Sequence, residues 1–231
     1  HFGNQAGSQG LIIRMQCMTQ VSGPSRVGLP KKQGMYDPAL EHDACGFGFI
    51  ANMHNVPSNE IVHQALKIVV NLDHRGAVGA DPLAGDGAGI LVQVPDKFMR
   101  KEFSALGVEV PRKGKYAVGM VFLPRDEKLC KKAVDAINNT AEEEGQKVIG
   151  WRDVPVDNSV LGESVKLNEP VIKQVMIGHG AATLDRDAFE RKLYVIRKLS
   201  HRVIWNNYPE AGQDFYIPSM STRTIVFKGM V

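Results

Sequence analysis

The stretch Glu41-His42-Asp43-Ala44-Cys45-Gly46-Phe47-Gly48-Phe49-Ile50 sets a cysteine directly after a charged turn and directly before a Gly-x-Gly-x-apolar run. The alternation of small and apolar residues from Gly46 to Met53 predicts a strand, with Cys45 at its first position. A glycine neighbour leaves the thiol open on one side and lets a substrate or backbone amides approach closely. Two readings follow: a nucleophile, or the small buried hydrophobe that a free cysteine more often is. A thiol attacks only as thiolate, so the first reading requires a base or a lowered pKa. The segment ahead of Cys45 is polar and carries no secondary-structure signal. Its removal after Ala44 would make Cys45 the N-terminal residue. The new α-amine, with a pKa around 7.7–8, would then serve as general base, and no separate histidine is needed.

Composition bounds the rest. The chain has 231 residues, 43% hydrophobic and 23% charged, which suits a globular domain rather than a disordered one. Its net charge of +3 is spread among 25 acidic residues. No Lys/Arg block with interleaved aromatics appears, which argues against a nucleic-acid partner. No apolar run approaches 18 residues, which argues against a membrane span. Cys17, Cys45 and Cys130 form no CxxC pair, so a disulfide framework or a cysteine-based metal site is not expected and a cytoplasmic, reducing setting fits. Residues 1–36 contain no Asp or Glu but carry Arg14, Arg26, Lys31 and Lys32. That leader reads equally as a transit peptide, which would place the protein in a plastid, or as sequence upstream of a start at Met15 or Met18. The chain opens on His1 and stops in strand-like sequence, so a fragment is expected.

The remaining elements follow from periodicity. Ser58 is placed to cap a helix bearing Glu60 in its first turn and Ile61, Ala65, Val69 and Leu72 on one face, ending before Gly76. Strands are predicted over Ala88–Val94, Lys115–Leu123, Lys147–Val154 and Val171–Ile177, with shorter ones at Tyr216-Ile217 and Ile225–Phe227. Helices are predicted from Asp96, as cap, to about Leu106, from Asp126 to Glu144 with Gly145 as its stop, and from Leu184-Asp185 to about Asn206. Phe189, Leu193, Ile196, Leu199 and Val203 mark the buried stripe of the last helix. Without strict βαβ alternation or an internal repeat, the natural class is α+β with packed layers.

Three further motifs stand beside Cys45. Asp73-His74-Arg75-Gly76-Ala77 reads as a helix C-terminus, where cations suit the dipole and glycine ends the helix. Alternatively, the helix packs on the Cys45 strand and brings Arg75 near the thiol. Gly85-Asp86-Gly87-Ala88-Gly89 looks like a nucleotide loop only superficially, because a strand rather than a helix follows it; a tight turn is expected. Pro218-Ser219-Met220-Ser221-Thr222-Arg223-Thr224 is either an anion-binding cluster or a hairpin connection whose hydroxyls are satisfied internally.

Taken together these pieces resemble the start of glutamate synthase large subunits. The resemblance rests on Tyr36-Asp37-Pro38, on Glu41 to Phe49, on Leu72-x-His74-Arg75-Gly76-Ala77-x-Gly79-Ala80-Asp81, and on Gly85 to Leu91. It continues through Gly150 to Val156, Glu190 to Arg197 and Pro218 to Thr224, and so runs in order from about Gly28 to the end. The bacterial-type, pyridine-nucleotide-linked form is the nearer likeness. Phe47 stands where the family often has valine.

The resemblance implies a type 2 glutamine amidotransferase domain, a four-layer αββα N-terminal-nucleophile (Ntn) hydrolase sandwich truncated at its C-terminus. It implies a leader or propeptide over residues 1–44, a domain over residues 45–231, Cys45 as nucleophile, and Arg75 as organiser of the site. L-Glutamine is the implied substrate, and ammonia would pass to downstream synthase domains of the same chain. FMN, iron–sulfur clusters and NAD(P)H, the last through a small oxidising subunit or domain, are implied for the whole enzyme, with no cofactor or metal in this segment. The family's His-Ser-Arg-Phe-Ser and His-Asn-Gly-Glu runs have no match here, so the oxyanion and glutamine-binding residues are expected beyond Val231. Alone, the segment is expected to be a weak or inactive glutaminase. Another Ntn amidotransferase or hydrolase, or a non-catalytic α+β domain with Cys45 in its core, remain the alternatives.

Overall fold

The computed structural model describes residues 32–35, 46–73 and 87–229. In chain order these form α1 (Asn59–Asn71), β1 (Ala88–Gln93), α2 (Asp96–Ala105), β2 (Tyr116–Leu123), α3 (Glu127–Glu143) and β3 (Lys147–Asp153). They continue with α4 (Glu163–Lys166), β4 (Val171–Gly178), α5 (Arg186–Asn207), α6 (Pro209–Gly212), β5 (Tyr216–Ser221) and β6 (Thr224–Gly229). The described residues divide into two compact units: those up to residue 90 with 155–167 and 228–229, and residues 91–154 with 168–227.

The second unit is built on a four-stranded antiparallel sheet in the order β3-β4-β2-β5. Strand β2 reads Tyr-Ala-Val-Gly-Met-Val-Phe-Leu, apolar without alternation, because both of its faces are covered. Ala117, Val121 and Leu123 point into a core shared with Ala133 and Ile137 of α3 and Phe189, Leu193 and Ile196 of α5. Tyr116, Val118 and Met120 point the other way, into a second core with Met99 and Phe103 of α2, Val92 and Val94, and Ile225 and Phe227. Strands β1 and β6 form a separate two-stranded sheet. The Val94 N–H donates to the Arg223 carbonyl at 2.9 Å, just past the end of one strand and just before the other, so these two strands run antiparallel. Helices, a four-stranded sheet and a two-stranded sheet thus lie in successive layers, as the α+β expectation requires and consistent with the Ntn-hydrolase fold.

Local chemistry explains the helix starts. Asp126 accepts from the Leu129 N–H at 2.9 Å and Asp185 from the Ala188 N–H at 2.7 Å, each relieving an orphan donor of the first turn. Gly145 closes α3 with φ +72°, the left-handed geometry that favours glycine. In α2 the cap position belongs to Pro95, and Asp96 is the first helical residue, not the cap. Its carboxylate is used elsewhere, accepting from the Tyr116 hydroxyl at 2.8 Å and from Arg100 Nη2 at 3.2 Å.

In the first unit, α1 begins as its sequence suggests: the Ser58 hydroxyl accepts from the Ile61 N–H at 3.4 Å, with Glu60 in the first turn. Its apolar stripe, including Ile61, Ala65, Ile68 and Val69, is half-buried rather than fully covered. The predicted strand over Gly46–Met53 is not formed: residues 46–50 pair with no strand among the described residues. Strand propensity needs a ladder partner to become a strand. Among the described residues no helix is long and apolar enough to cross a membrane.

Candidate active site

Cys45 and Arg75 lie outside the described residues, as do His74, Gly76, Gly85, Asp86 and the Ala44–Cys45 bond. The described structure resumes at Gly46, immediately after the thiol's position, and shows how that segment is held. The Phe47 and Phe49 side chains are 88% and 86% exposed. Gly48, between them, lies against α1 so closely that a Cβ there would stand 2.6 Å from Ile68 Cγ2. No carbon atoms approach that near without one moving, so the contact exists only because residue 48 has no side chain. α1 thus touches the chain at Gly48, while the expected placement of Arg75 beside the Cys45 thiol lies outside the described residues.

The return of the chain from this segment to α1 is made by an asparagine turn. Asn52 Oδ1 accepts from the His54 N–H at 2.8 Å, and its carbonyl accepts from the Asn55 N–H at 2.9 Å. Asn55 adopts φ 52°, a left-handed conformation that asparagine tolerates better than most residues. α1 then runs to its C-cap at Leu72, one residue before the Asp73-His74-Arg75-Gly76 element.

Gly87 has φ +85° and leads into β1, with no helix following. A phosphate site of the glycine-loop kind needs a helix N-terminus at that point, and a strand stands there instead; the tight turn expected at Gly85 and Asp86 lies outside the described residues.

The hydroxyl cluster at 218–224 is resolved in favour of internal satisfaction. Ser219 and Ser221 belong to β5, and only Thr222 and Arg223 form the turn into β6. Glu190 of α5 accepts from Ser221 Oγ at 3.1 Å, from the Thr222 N–H at 2.9 Å and from Thr222 Oγ1. Arg186 donates to Thr222 Oγ1 at 2.8 Å and to the Thr222 carbonyl at 3.0 Å. Ser219 Oγ accepts from the Val226 N–H at 3.0 Å, and Arg223 pairs with Asp187. These groups face one another, which removes the case for an anion site.

Two polar groupings had no sequence signature because their members are far apart in the chain. Arg152 donates to Glu102 through Nε at 3.0 Å and Nη2 at 2.5 Å, and through Nη1 to Gln174 at 3.2 Å. Tyr116, Asp96 and Arg100 make the other. Arg100 also donates to the Val110 and Pro111 carbonyls at 2.7 and 2.8 Å, which ties α2 to the loop before β2. Both groupings are tied to structural partners. Cys130 is half-buried, and burial pushes its thiol above the ordinary value of 9.0, the opposite of what a nucleophile needs. Among the described residues no group of three His, Cys, Asp or Glu side chains is placed to hold a metal ion.

The family model for "Glutamine amidotransferases class-II" matches residues 45–231. The chain is 46% identical over 203 residues to "Glutamate synthase [NADPH] large chain" of Bacillus subtilis, covering 88% of this chain and 13% of that protein. It is 42% identical over 216 residues to "Glutamate synthase [NADH]" of Schizosaccharomyces pombe, covering 90% and 10%. It is 38% identical over 214 residues to "Ferredoxin-dependent glutamate synthase 1, chloroplastic/mitochondrial" of Arabidopsis thaliana, covering 91% and 13%. The chain thus spans 10% to 13% of the length of these relatives.

Proposed function

The chain belongs to the class-II glutamine amidotransferases, and from that membership we propose that it carries the glutaminase half of a glutamate synthase. The observation that carries this reading is the start of the family match at residue 45, the cysteine that the sequence singles out. A match beginning there is what a mature N-terminus at Cys45 predicts, with residues 1–44 as the removed leader.

In this reading the α-amine of Cys45 takes the thiol proton, and the thiolate attacks the side-chain amide carbon of L-glutamine. The tetrahedral oxyanion collapses, the α-amine returns the proton to the departing nitrogen, and ammonia leaves. Water, activated by the same amine, hydrolyses the γ-glutamyl thioester to glutamate. Arg75, just past the C-cap of α1, organises the site, and the contact of Gly48 with Ile68 of the same helix supports that placement. Ammonia is then consumed with 2-oxoglutarate elsewhere in the longer enzyme.

FMN and iron–sulfur clusters would supply the reducing electrons there. The described residues do not fit a cluster: Cys130 is the one cysteine among them, and no group of three or more ligating side chains forms there. NAD(P)H is the proposed donor, delivered through a small oxidising subunit or domain in a cytoplasmic enzyme. The relatives named for NADPH and NADH, at 46% and 42% identity against 38% for the ferredoxin-dependent one, support it.

The test is Cys45→Ala in the full-length protein. Glutamine-dependent glutamate formation is expected to vanish while ammonia-dependent formation persists. Equal loss of both would overturn the reading, as would N-terminal sequencing that finds residues 1–44 retained in active enzyme.

A further inference from the structure

Gly48 and Ile68 meet between the two residues of the proposed site in the chain: Gly48 lies three residues after Cys45, and Ile68 lies seven before Arg75. The atom that a Cβ on Gly48 would meet, at 2.6 Å, is Ile68 Cγ2, with Cδ1 at 3.6 Å and Cβ at 3.8 Å. Cγ2 is the branch methyl. In a helix an isoleucine is held almost entirely in one χ1 rotamer, so this methyl has no low-energy position to swing to. The neighbouring Phe47 and Phe49 side chains are largely exposed, and Gly48 meets Ile68 between them.

We propose that Ile68 is a positioning residue for the nucleophile. Its branch methyl, seated on the bare backbone of Gly48, fixes how near the Cys45 segment comes to the helix that leads to Arg75. This rests on the reading of Cys45 as nucleophile and adds what sets its place. A displacement of about 1 Å at a reacting group can cost on the order of 100-fold in rate, so a contact three residues along the chain from the thiol has leverage.

The experiment uses the full-length enzyme and measures the rate at which a diazoketone analogue of glutamine labels Cys45, alongside kcat and KM for glutamine and the ammonia-dependent rate. Gly48→Ala is expected to slow labelling and glutamine kcat by about tenfold or more, with KM and the ammonia-dependent rate little changed. Ile68→Leu keeps the side-chain volume but lacks the branch methyl, so the double variant Gly48→Ala/Ile68→Leu is expected to recover most of the lost labelling rate. A Gly48→Ala enzyme that labels at the wild-type rate, or a double variant as slow as Gly48→Ala, overturns the proposal. Should Gly48→Ala not fold, Ile68→Ala carries the test. Slower labelling with an intact ammonia-dependent rate supports the role, and unchanged labelling overturns it. Wild-type enzyme that leaves Cys45 unlabelled overturns the nucleophile reading itself, an outcome separable from all of these.

Discussion

The backbone of Gly180 passes so close to Gly145 that a Cβ on Gly180 would stand 1.9 Å from the Gly145 carbonyl oxygen. The approach joins the turn after α3 to the turn after β4, and Gln146 seals it. Gln146 Oε1 accepts from the Gly180 N–H at 2.8 Å, and Nε2 donates to Thr183 Oγ1 at 2.9 Å and to the Glu144 carbonyl at 3.1 Å.

Gly180→Ala should therefore be among the costliest small substitutions in the second unit. The clash is with backbone, which cannot swing aside as a side-chain tip can, so a loss of about 1–3 kcal/mol or more is expected. The shift in urea midpoint measures it; an unchanged midpoint would show that the two turns separate freely.

Glu190 is expected to matter through what it leaves behind. Glu190→Ala strips the acceptor from the Thr222 N–H, and from the Ser221 and Thr222 hydroxyls, at a residue only 4% exposed. A loss of about 1–3 kcal/mol is the usual consequence of orphaning such groups. Glu190→Gln, which retains one acceptor oxygen, should lose less. Chemical denaturation of the three proteins side by side gives the order.

Tyr116→Phe probes the Asp96 carboxyl. Burial alone would raise its pKa, but the Tyr116 hydroxyl and then Arg100 outweigh that and hold it below 3.8. A carboxyl depressed on folding adds stability that is present above its unfolded pKa and lost as pH falls through the folded one. Removing the hydroxyl is expected to cost about 1 kcal/mol near neutral pH. The difference between Tyr116→Phe and wild type should shrink on acidification below pH 3.8, followed by denaturant titration.

His201 acts with the same sign in a higher pH window. Burial, and then the neighbouring Arg197 and Lys198, push its pKa below 6.5. The unfolded chain therefore binds the proton more readily, and stability declines as pH drops below 6.5 toward the folded value. In His201→Gln the melting temperature should fall less over that window than in wild type. Parallel slopes would assign the acid sensitivity to other groups.

Much of this architecture is legible in the sequence where one residue does one local job. Ser58 is legible as a cap because a short acceptor before an apolar-periodic run has few other uses. Asp126 and Asp185 mark helix starts without declaring themselves caps. Asp96 reads as a cap but is the first helical residue, its carboxylate taken by Tyr116 and Arg100. The buried stripe of α5 was read correctly as far as Ile196, then drifts: Ser200 and Ile204 are buried in place of Leu199 and Val203. Over a 22-residue helix a small error in period accumulates until the neighbouring residue faces inward. β5 is legible in the sequence only over Tyr216-Ile217, because Pro218 and the hydroxyls of Ser219 and Ser221 suit a hairpin connection as well. It is the edge strand of its sheet, where a missing N–H is tolerated, and its hydroxyls meet partners more than two dozen residues away or across the turn. The Gly48–Ile68 contact was half visible: glycines around Cys45 suggested close approach, but nothing in α1 marked Ile68 above its apolar neighbours.

The two-residue passage from β5 to β6 has a kinetic consequence. Thr222 and Arg223 carry the chain from the edge of the four-stranded sheet straight into the two-stranded one, and α5 grips them through Arg186, Asp187 and Glu190. A segment so short has no slack, so neither strand can peel from its neighbours without loading the other. In amide hydrogen exchange, β5 and β6 should behave as one opening unit, with protection rising and falling together. Loosening the grip at Glu190 should speed exchange on both sheets at once.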